Sequence, residues 1–201
     1  GESSTPFDPV DSPKAIDLND KQTRDKIIAE AIDEESLTKP KKGGLLIFDK
    51  NGQTPYTGWM KATYPSGKIR VLAQLKDGKP DGLWTWWYVN GQMKMKINYK
   101  NGKQVGLSNV WYENGQKRLA RNYKDAKPHG LSTSWYENGQ KESEGNFKDG
   151  KMEGFVKRWR KKGLISEEGY WIDGKIMSVG MWKPNGEKCP VTNLKDGNGL
   201  V

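Results

Sequence analysis

Few residues in this chain could carry chemistry, and they do not combine. Its 201 residues include one histidine, His129, and one cysteine, Cys189. A thiolate nucleophile needs a base within hydrogen-bond reach, and a structural zinc needs four nitrogen or sulfur ligands. The two residues lie far apart in the chain, so neither a Cys–His pair nor a zinc set can be assembled. Acidic residues recur beside turns at Asp77, Asp125, Asp149, Asp173 and Asp196. Carboxylates in tight turns serve the turn itself, and no compact oxygen-rich calcium loop surrounds these. Glu142 and Glu144 are expected on one side of a strand and Glu167 and Glu168 on opposite sides, so neither pair makes an acid–base cleft. A glycine-rich phosphate loop with its Lys-Ser/Thr is missing. The sequence predicts no catalytic residues, no cofactor and no metal.

Two kinds of residue could bind something. Trp84 and Trp86 stand beside the recurring Trp87, Trp111 and Trp135, and aromatic side chains can stack on sugars or anchor protein contacts. The competing reading is that these rings supply the packing of a thin fold. A basic run, Lys157, Arg158, Arg160, Lys161 and Lys162, joins Arg118 and Arg121 as a possible phosphate contact on nucleic acid or lipid. These cations interleave with acids and lack a groove-reading motif, which disfavours nucleic acid. His129, in the turn Pro128-His129-Gly130, is a further candidate partner contact.

The elements that position these residues follow from composition and repetition. Only 33% of residues are hydrophobic and mean hydropathy is −0.93, yet the chain holds 9 Trp, 8 Tyr, 4 Phe and 24 Gly. Abundant aromatics and glycines with few aliphatics suit a thin sheet with punctuated turns rather than a spherical core. The formal charge is +9. Residues 1–42 carry 7 Lys/Arg against 10 Asp/Glu, and residues 43–201 carry 27 against 15. Lysine on a long exposed sheet keeps it soluble and discourages edge pairing, and the same excess could favour a polyanion. With one cysteine no disulfide forms within the chain. No stretch reads as a membrane span or apolar signal segment.

Trp-Tyr-Glu-Asn-Gly-Gln-Lys occurs at 111–117 and again at 135–141, 24 residues later. Trp recurs at 87, 111, 135 and 159, then at 182, one residue early. Tyr follows at Tyr88, Tyr112 and Tyr136, with Tyr64 ahead in register, and Arg160 breaks this column. Turn glycines fall at Gly67, Gly91, Gly115, Gly139, Gly163 and Gly186. A second apolar column, Leu75, Tyr99, Tyr123, Phe147, Trp171 and Leu194, precedes Lys-Asp-Gly-like turns, with Ala126 standing once for the glycine. Turns every 11 to 13 residues exclude helix and predict two antiparallel strands per unit.

Three-residue loops closed by a left-handed glycine are expected at both kinds of turn. They would place Leu131, Thr133 and Trp135 with Ser143, Gly145 and Phe147, continuing to Phe155 and Trp159. Ser132, Ser134, Tyr136, Glu142, Glu144 and Asn146 would face the other way. Gly145 would leave room for a ring to cross the backbone. The fold class is all-β, an elongated single-layer antiparallel meander of about six two-strand repeats, about twelve strands, behind a short N-terminal helical or disordered segment.

The pattern Gly-Leu-x-x-x-Trp-Tyr-Glu-Asn-Gly-Gln-Lys, followed by Tyr-Lys-Asp-Gly-Lys, resembles the bacterial variant of the MORN repeat. The best copies lie at 82–105, 106–129 and 130–153, and the lead-in Pro55-Tyr56-Thr57-Gly58 is similar to the start of such arrays. The resemblance covers residues 43–201, in units near 43–57, 58–81, 82–105, 106–129, 130–153, 154–176 and 177–201. It is weakest at 154–180, where Lys161-Lys162-Gly163 replaces Glu-Asn-Gly. It implies an extended meander and a non-catalytic role in contacting partners. Similar bacterial proteins are often exported or lipid-anchored, labelled as antitoxins of toxin–antitoxin pairs, or proposed to bind lipid head groups.

Residues 1–42 form an N-terminal linker and possible capping helix. The three prolines of residues 1–15 read as a flexible linker, and Gly1 ahead of Glu2-Ser3-Ser4-Thr5-Pro6 reads as an added residue before a truncated start, with removal of a signal peptide as an expectation. Asp17 to Leu37 is expected to be helical, with Ile28/Ile32 and Ile27/Ala31 as an apolar stripe that caps the sheet. The expected function is a non-enzymatic scaffold that binds a protein partner at the bacterial envelope, as a periplasmic or lipid-anchored protein. The alternatives are an antitoxin, which would be cytoplasmic, and a binder of glycan or acidic lipid. The exposed ends of the sheet allow edge-to-edge pairing between chains.

Overall fold

The computed structural model describes residues 16–38 and 46–189, and the backbone of 194–195 and 198–199. The linker expected at 1–15, Leu45 of the opening unit, and Asp196 and Gly197 of the last turn lie outside the described residues. The elements in order are β1 (Ile32–Asp33), β2 (Gly58–Thr63), β3 (Ile69–Lys76), β4 (Lys79–Trp87), β5 (Met93–Lys100), β6 (Lys103–Trp111) and β7 (Lys117–Lys124). They continue with β8 (Lys127–Trp135), β9 (Lys141–Lys148), β10 (Lys151–Trp159), β11 (Ile165–Ile172), β12 (Lys175–Met181), β13 (Leu194–Lys195) and β14 (Asn198–Gly199). The α-helix α1 (Lys21–Glu30) precedes β1, and a short 3-10 turn (Glu34–Ser36) follows it. Strands β1 to β12 form one sheet in chain order, antiparallel throughout except for the parallel pair β1–β2, and β13–β14 form a separate hairpin. The meander therefore has eleven strands, β2 to β12. The expected opening strand is reduced to Phe48, which bridges Thr38 and Pro55.

The two kinds of turn differ, which corrects one expectation. At Glu113-Asn114-Gly115 the loop has three residues: Tyr112 N–H donates to Gln116 O at 2.8 Å and Gly115 N–H to Tyr112 O at 3.0 Å. Only the glycine takes positive φ there, as a type I turn with a G1 bulge requires. At Asp125-Ala126 the loop has two residues, because Lys124 pairs directly with Lys127. Both loop residues are left-handed, at φ 50° and 65°, and the equivalent Asp77-Gly78, Asn101-Gly102, Asp149-Gly150 and Asp173-Gly174 follow suit. This is the type I′ turn, whose twist matches the flanking strands. Asp and Asn tolerate the left-handed region, so the acidic column at these turns is a backbone requirement.

A second irregularity changes the faces. Ser134 pairs with Ser143 while Trp135 pairs with Lys141, leaving Glu142 as an extra, bulged residue. The bulge puts Leu131 and Thr133 opposite Asn146 and Glu144, and Ser132 and Ser134 opposite Gly145 and Ser143. Leu131, Thr133, Trp135 and Phe155 do share a face, but Gly145 and Phe147 lie on the other. The space above Gly145 is taken by Val156, whose methyl would stand 2.7 Å from an added Cβ. The ring expected there instead crosses Gly169, from Trp171.

We call the face with Leu131 face B and the other face A. The N-terminal segment makes the sheet two layers thick at its start. Asp20 caps α1 by accepting from Thr23 N–H at 2.7 Å. Leu18, Ile27 and Ala31 pack on face B over Leu72, Leu83 and Trp87. Lys61 donates to Ile28 O at 3.0 Å. The helix stops at Glu30, short of the expected Leu37, because Ala31 turns extended and Ile32–Asp33 pair with Met60–Lys61. On face A, Met60, Ala62, Val71, Ala73 and Leu75 form a second cluster under Leu37, Ile47 and Tyr56. Beyond β5 the buried hydrophobic residues are few, Val156 and Trp171 among them, and the sheet is a single layer.

Among the described residues, Ala126 is the one besides Asp and Asn held at positive φ without being glycine. Left-handed backbone costs an L-residue roughly 1–2 kcal/mol, partly offset by the extra freedom of glycine when unfolded. Ala126→Gly should therefore raise stability by about 0.5–1 kcal/mol, measured by urea unfolding. An unchanged or lowered midpoint would contradict the strain assigned to this turn.

Candidate functional site

What holds a thin sheet together sets which surfaces are free. Along the rim of three-residue turns, each tyrosine hydroxyl reaches the next unit and donates to a tryptophan carbonyl. The pairs are Tyr64 to Trp87 (2.7 Å), Tyr88 to Trp111 (2.9 Å), Tyr112 to Trp135 (2.9 Å) and Tyr136 to Trp159 (2.8 Å). Asn90, Asn114 and Asn138 add side-chain amide bonds to Glu113 O, Glu137 O and Lys161 O at 2.9–3.0 Å. Burial first, then the Glu142 carboxylate, holds the Tyr112 phenol above its ordinary pKa, so it stays a donor. Where Arg160 replaces tyrosine, its Nη2 donates to Trp182 O at 2.8 Å. The break in the tyrosine column and the tryptophan that comes one residue early are thus one compensated change.

The opposite rim is stitched by backbone. Gly78, Gly102, Ala126, Gly150 and Gly174 donate N–H to the carbonyls of Tyr56, Pro80, Gln104, Pro128 and Met152 at 2.7–2.9 Å. Side chains one residue further on cap the preceding turn amide: Asp81 accepts from Asn101 N–H at 2.9 Å and Glu153 from Asp173 N–H at 2.8 Å. His129 occupies the same column, with Nδ1 3.5 Å from Asp149 Oδ1.

The candidate residues are scattered over this frame. Trp84 and Trp86 lie on face A with centroids 5.7 Å apart, half-buried against the Val71–Leu75 cluster, and Trp84 Nε1 donates to Gln74 O at 2.9 Å. The basic run sits six strands away and splits between faces. Lys157 pairs with Glu168 at 2.7 Å on face B, and Arg158 with Glu167 at 3.4 Å on face A. Glu167 and Glu168 do point oppositely. Glu142 and Glu144 do not point the same way: the bulge sends Glu142 to Ser134 on face A, while Glu144 meets Thr133 and Lys141 on face B. Lys161 and Lys162 are exposed at the turn. Arg118 and Arg121 stack over Tyr112 and Phe147, at 5.7 and 5.0 Å. Among the described residues no three His, Cys, Asp or Glu side chains converge as a metal site. Among the described residues no helix is long and apolar enough to cross a membrane.

A row the sequence reading did not single out distinguishes the faces. Leu83, Leu107, Leu131 and Phe155 are one column of the repeat, on face B. Leu83 is 5% exposed beneath α1, whereas Leu107, Leu131 and Phe155 are 45%, 47% and 70% exposed. Parallel to it runs Trp87, Trp111, Trp135 and Trp159, with the ammonium groups of Lys117 and Lys141 over the rings of Trp135 and Trp159 at 5.6 and 5.7 Å. Between the rows the floor runs Thr85, Lys96, Asn109, Ala120, Thr133, Glu144 and Lys157 across successive strands. The signal available in sequence was an apolar residue after the repeat's glycine, at 83, 107, 131 and 155.

This geometry defines an open β-repeat array whose units are joined at both rims. Two stretches, residues 80–101 and 128–149, match the family model of the MORN repeat variant. The chain carries MORN-variant repeats, and the unit between the two matched stretches has the same turns and rim bonds. No significant match was found among curated proteins. Repeats of this type are generally non-catalytic and serve as scaffolds that contact protein or membrane lipid.

Tyr112→Phe removes one rim bond while keeping the ring, and should cost about 1 kcal/mol, the usual net worth of a hydrogen bond. Thermal unfolding monitored by circular dichroism checks this, and an unchanged midpoint would contradict it. The Asp81 carboxyl is held below its ordinary pKa chiefly by Asn101 N–H, then by Lys100. A depressed pKa contributes stability that is present above the ordinary carboxylate value and lost as pH falls through the depressed one. Asp81→Ala should therefore lower stability at pH 7 and flatten the loss of stability as pH falls below the ordinary carboxylate range. An acid-unfolding curve parallel to that of the unaltered chain would contradict this.

Proposed function

We propose that the chain is a non-enzymatic scaffold that binds a protein partner through face B. The observation that carries this is the row Leu107, Leu131 and Phe155, left open on a rigid sheet where the equivalent Leu83 is covered. Large apolar side chains left exposed at a regular spacing, here alternating with Asn122 and Asn146 of the intervening strands, mark a contact surface. Other ligand classes have less support. A glycan would need open tryptophan faces, but Trp84 and Trp86 pack inward, and the rings of Trp135 and Trp159 carry the ammonium groups of Lys117 and Lys141. An acidic membrane would need a cluster of about four to eight unpaired cations on one face, more than Lys96 and Lys117 of face B provide. Here Lys141, Lys151, Lys157 and Arg158 are each paired with a carboxylate, and Lys157 and Arg158 point to opposite faces. Exposed pairs of this kind attract polyanions weakly.

The resemblance to exported bacterial proteins makes the cell envelope the compartment we propose, to be checked by fractionation. For partner binding, a photo-crosslinking residue is placed at Leu131 on face B or at Leu119 on face A in cells of the native source. The Leu131 probe should capture a discrete protein and the Leu119 probe should not. Capture from neither position, or from Leu119 alone, would contradict the assignment.

A further inference from the structure

In the first unit, face B between the Leu and Trp rows is already covered, by the N-terminal segment of this chain. Ile27 of α1, with Leu18 before the helix and Ala31 just after it, shares one buried cluster with Leu83 and Trp87. The groove between the rows continues uncovered, with Leu107, Leu131 and Phe155 on one side and Trp111, Trp135 and Trp159 on the other. Resting on the scaffold reading above, we propose that it receives an acidic amphipathic helix of the partner protein.

Three features point to that occupant. First, residues 24 apart lie two strands apart, so the Leu row advances by roughly 9.6 Å per unit. Seven residues of an α-helix rise about 10.5 Å, so apolar residues at heptad spacing on a helix lying across the strands meet successive units almost in step. An extended strand would not keep this match. Second, the rows stand four residues apart along each strand, roughly 13 Å, comparable with the roughly 10 Å diameter of a helix, over a floor that is small from Asn109 through Ala120 to Thr133, with Lys96 before it and Glu144 and Lys157 after it. Third, the charge is one-sided. Lys141 and Lys157 are paired with Glu144 and Glu168, whereas Lys117 lies over Trp135 with no carboxylate partner among the described residues. Lys96, on the same face, adds to the positive excess. The groove ends at a cavity of about 560 Å³ lined by Phe155, Lys157, Val179, Trp182 and Lys188, able to take a terminal apolar anchor.

The test measures binding of fluorescent helical peptides to the full chain by anisotropy. One peptide carries leucines at heptad spacing on an otherwise Glu-rich helix. A second has Lys for Glu, and a third has the leucines shuffled out of register. The acidic heptad peptide should bind at least tenfold tighter than the other two and weaken as salt is raised. Leu107→Ser with Leu131→Ser, at positions exposed enough to spare the fold, should reduce binding at least tenfold, whereas Met177→Ser should not. Lys96→Glu with Lys117→Glu should weaken the acidic peptide and strengthen the basic one, which separates docking from any loss of folding. Equal binding of all three peptides, no binding of any, or binding indifferent to the serine and charge variants would overturn the proposal. Self-association of the chain that is lost in the serine variant, without peptide binding, would assign the groove to a second copy and also overturn it. Partner capture at Leu131 together with these failures would leave the scaffold reading standing and remove only the helix.

Discussion

The structure depends on one recurring interaction, the hydrogen bond from a tyrosine hydroxyl to the carbonyl of the tryptophan in the next unit. A single-layer sheet has little apolar surface to bury, and each unit touches mainly its neighbours. Strand ladders alone leave such a sheet free to twist and fray at the turns. The hydroxyl ladder on one rim and the amide-to-carbonyl bonds on the other clamp each turn to the turn two strands away. Because these clamps sit at the rims, the faces are spared a structural duty and can differ in composition from unit to unit. The substitution of Arg160 for tyrosine shows the clamp being kept while the residue changes: the longer side chain still reaches Trp182 O although the last unit is shorter.

The N-terminal segment solves a different problem. The first strands of an array have a neighbour on one side only, and here they receive α1 and β1. Leu72 and Thr85 on face B become fully buried, as does Leu75 on face A under Leu37, Ile47 and Tyr56, and the interior is concentrated where the array starts. The same helix supplies an internal example of how face B is covered, and the uncovered units repeat the surface it binds.

Much of this was legible in the residues. The 24-residue period, the strand pairs and the three-residue Glu-Asn-Gly turns follow directly from the columns. The Lys-Asp-Gly turns were misjudged because Asp-Gly suits both a three-residue loop and a two-residue type I′ turn, and only the direct pairing of Lys124 with Lys127 separates them. The bulge at Glu142 left no mark, since its residue type is ordinary for a strand, yet it moved Gly145 and Phe147 to the other face. Tyrosine partners were invisible because the acceptor is a backbone carbonyl, which no residue type announces. Trp84 and Trp86 attracted notice as extra aromatics. Their half-burial depends on Leu37, Ile47 and Tyr56, which reach face A from segments whose path composition does not reveal. The expected helix over Asp17–Leu37 ran too long because Ile32 fits a helical stripe as well as it fits the short parallel bridge to Met60.

The rim clamps, as the source of the array's integrity, can be tested by native-state hydrogen exchange on a chain with Tyr88, Tyr112 and Tyr136 all changed to phenylalanine. Amides of β6 to β9 should lose protection while those of β2 to β4, held by the helix-covered core, keep theirs. Protection that stayed unchanged in β6 to β9, or fell equally along the whole sheet, would contradict the account.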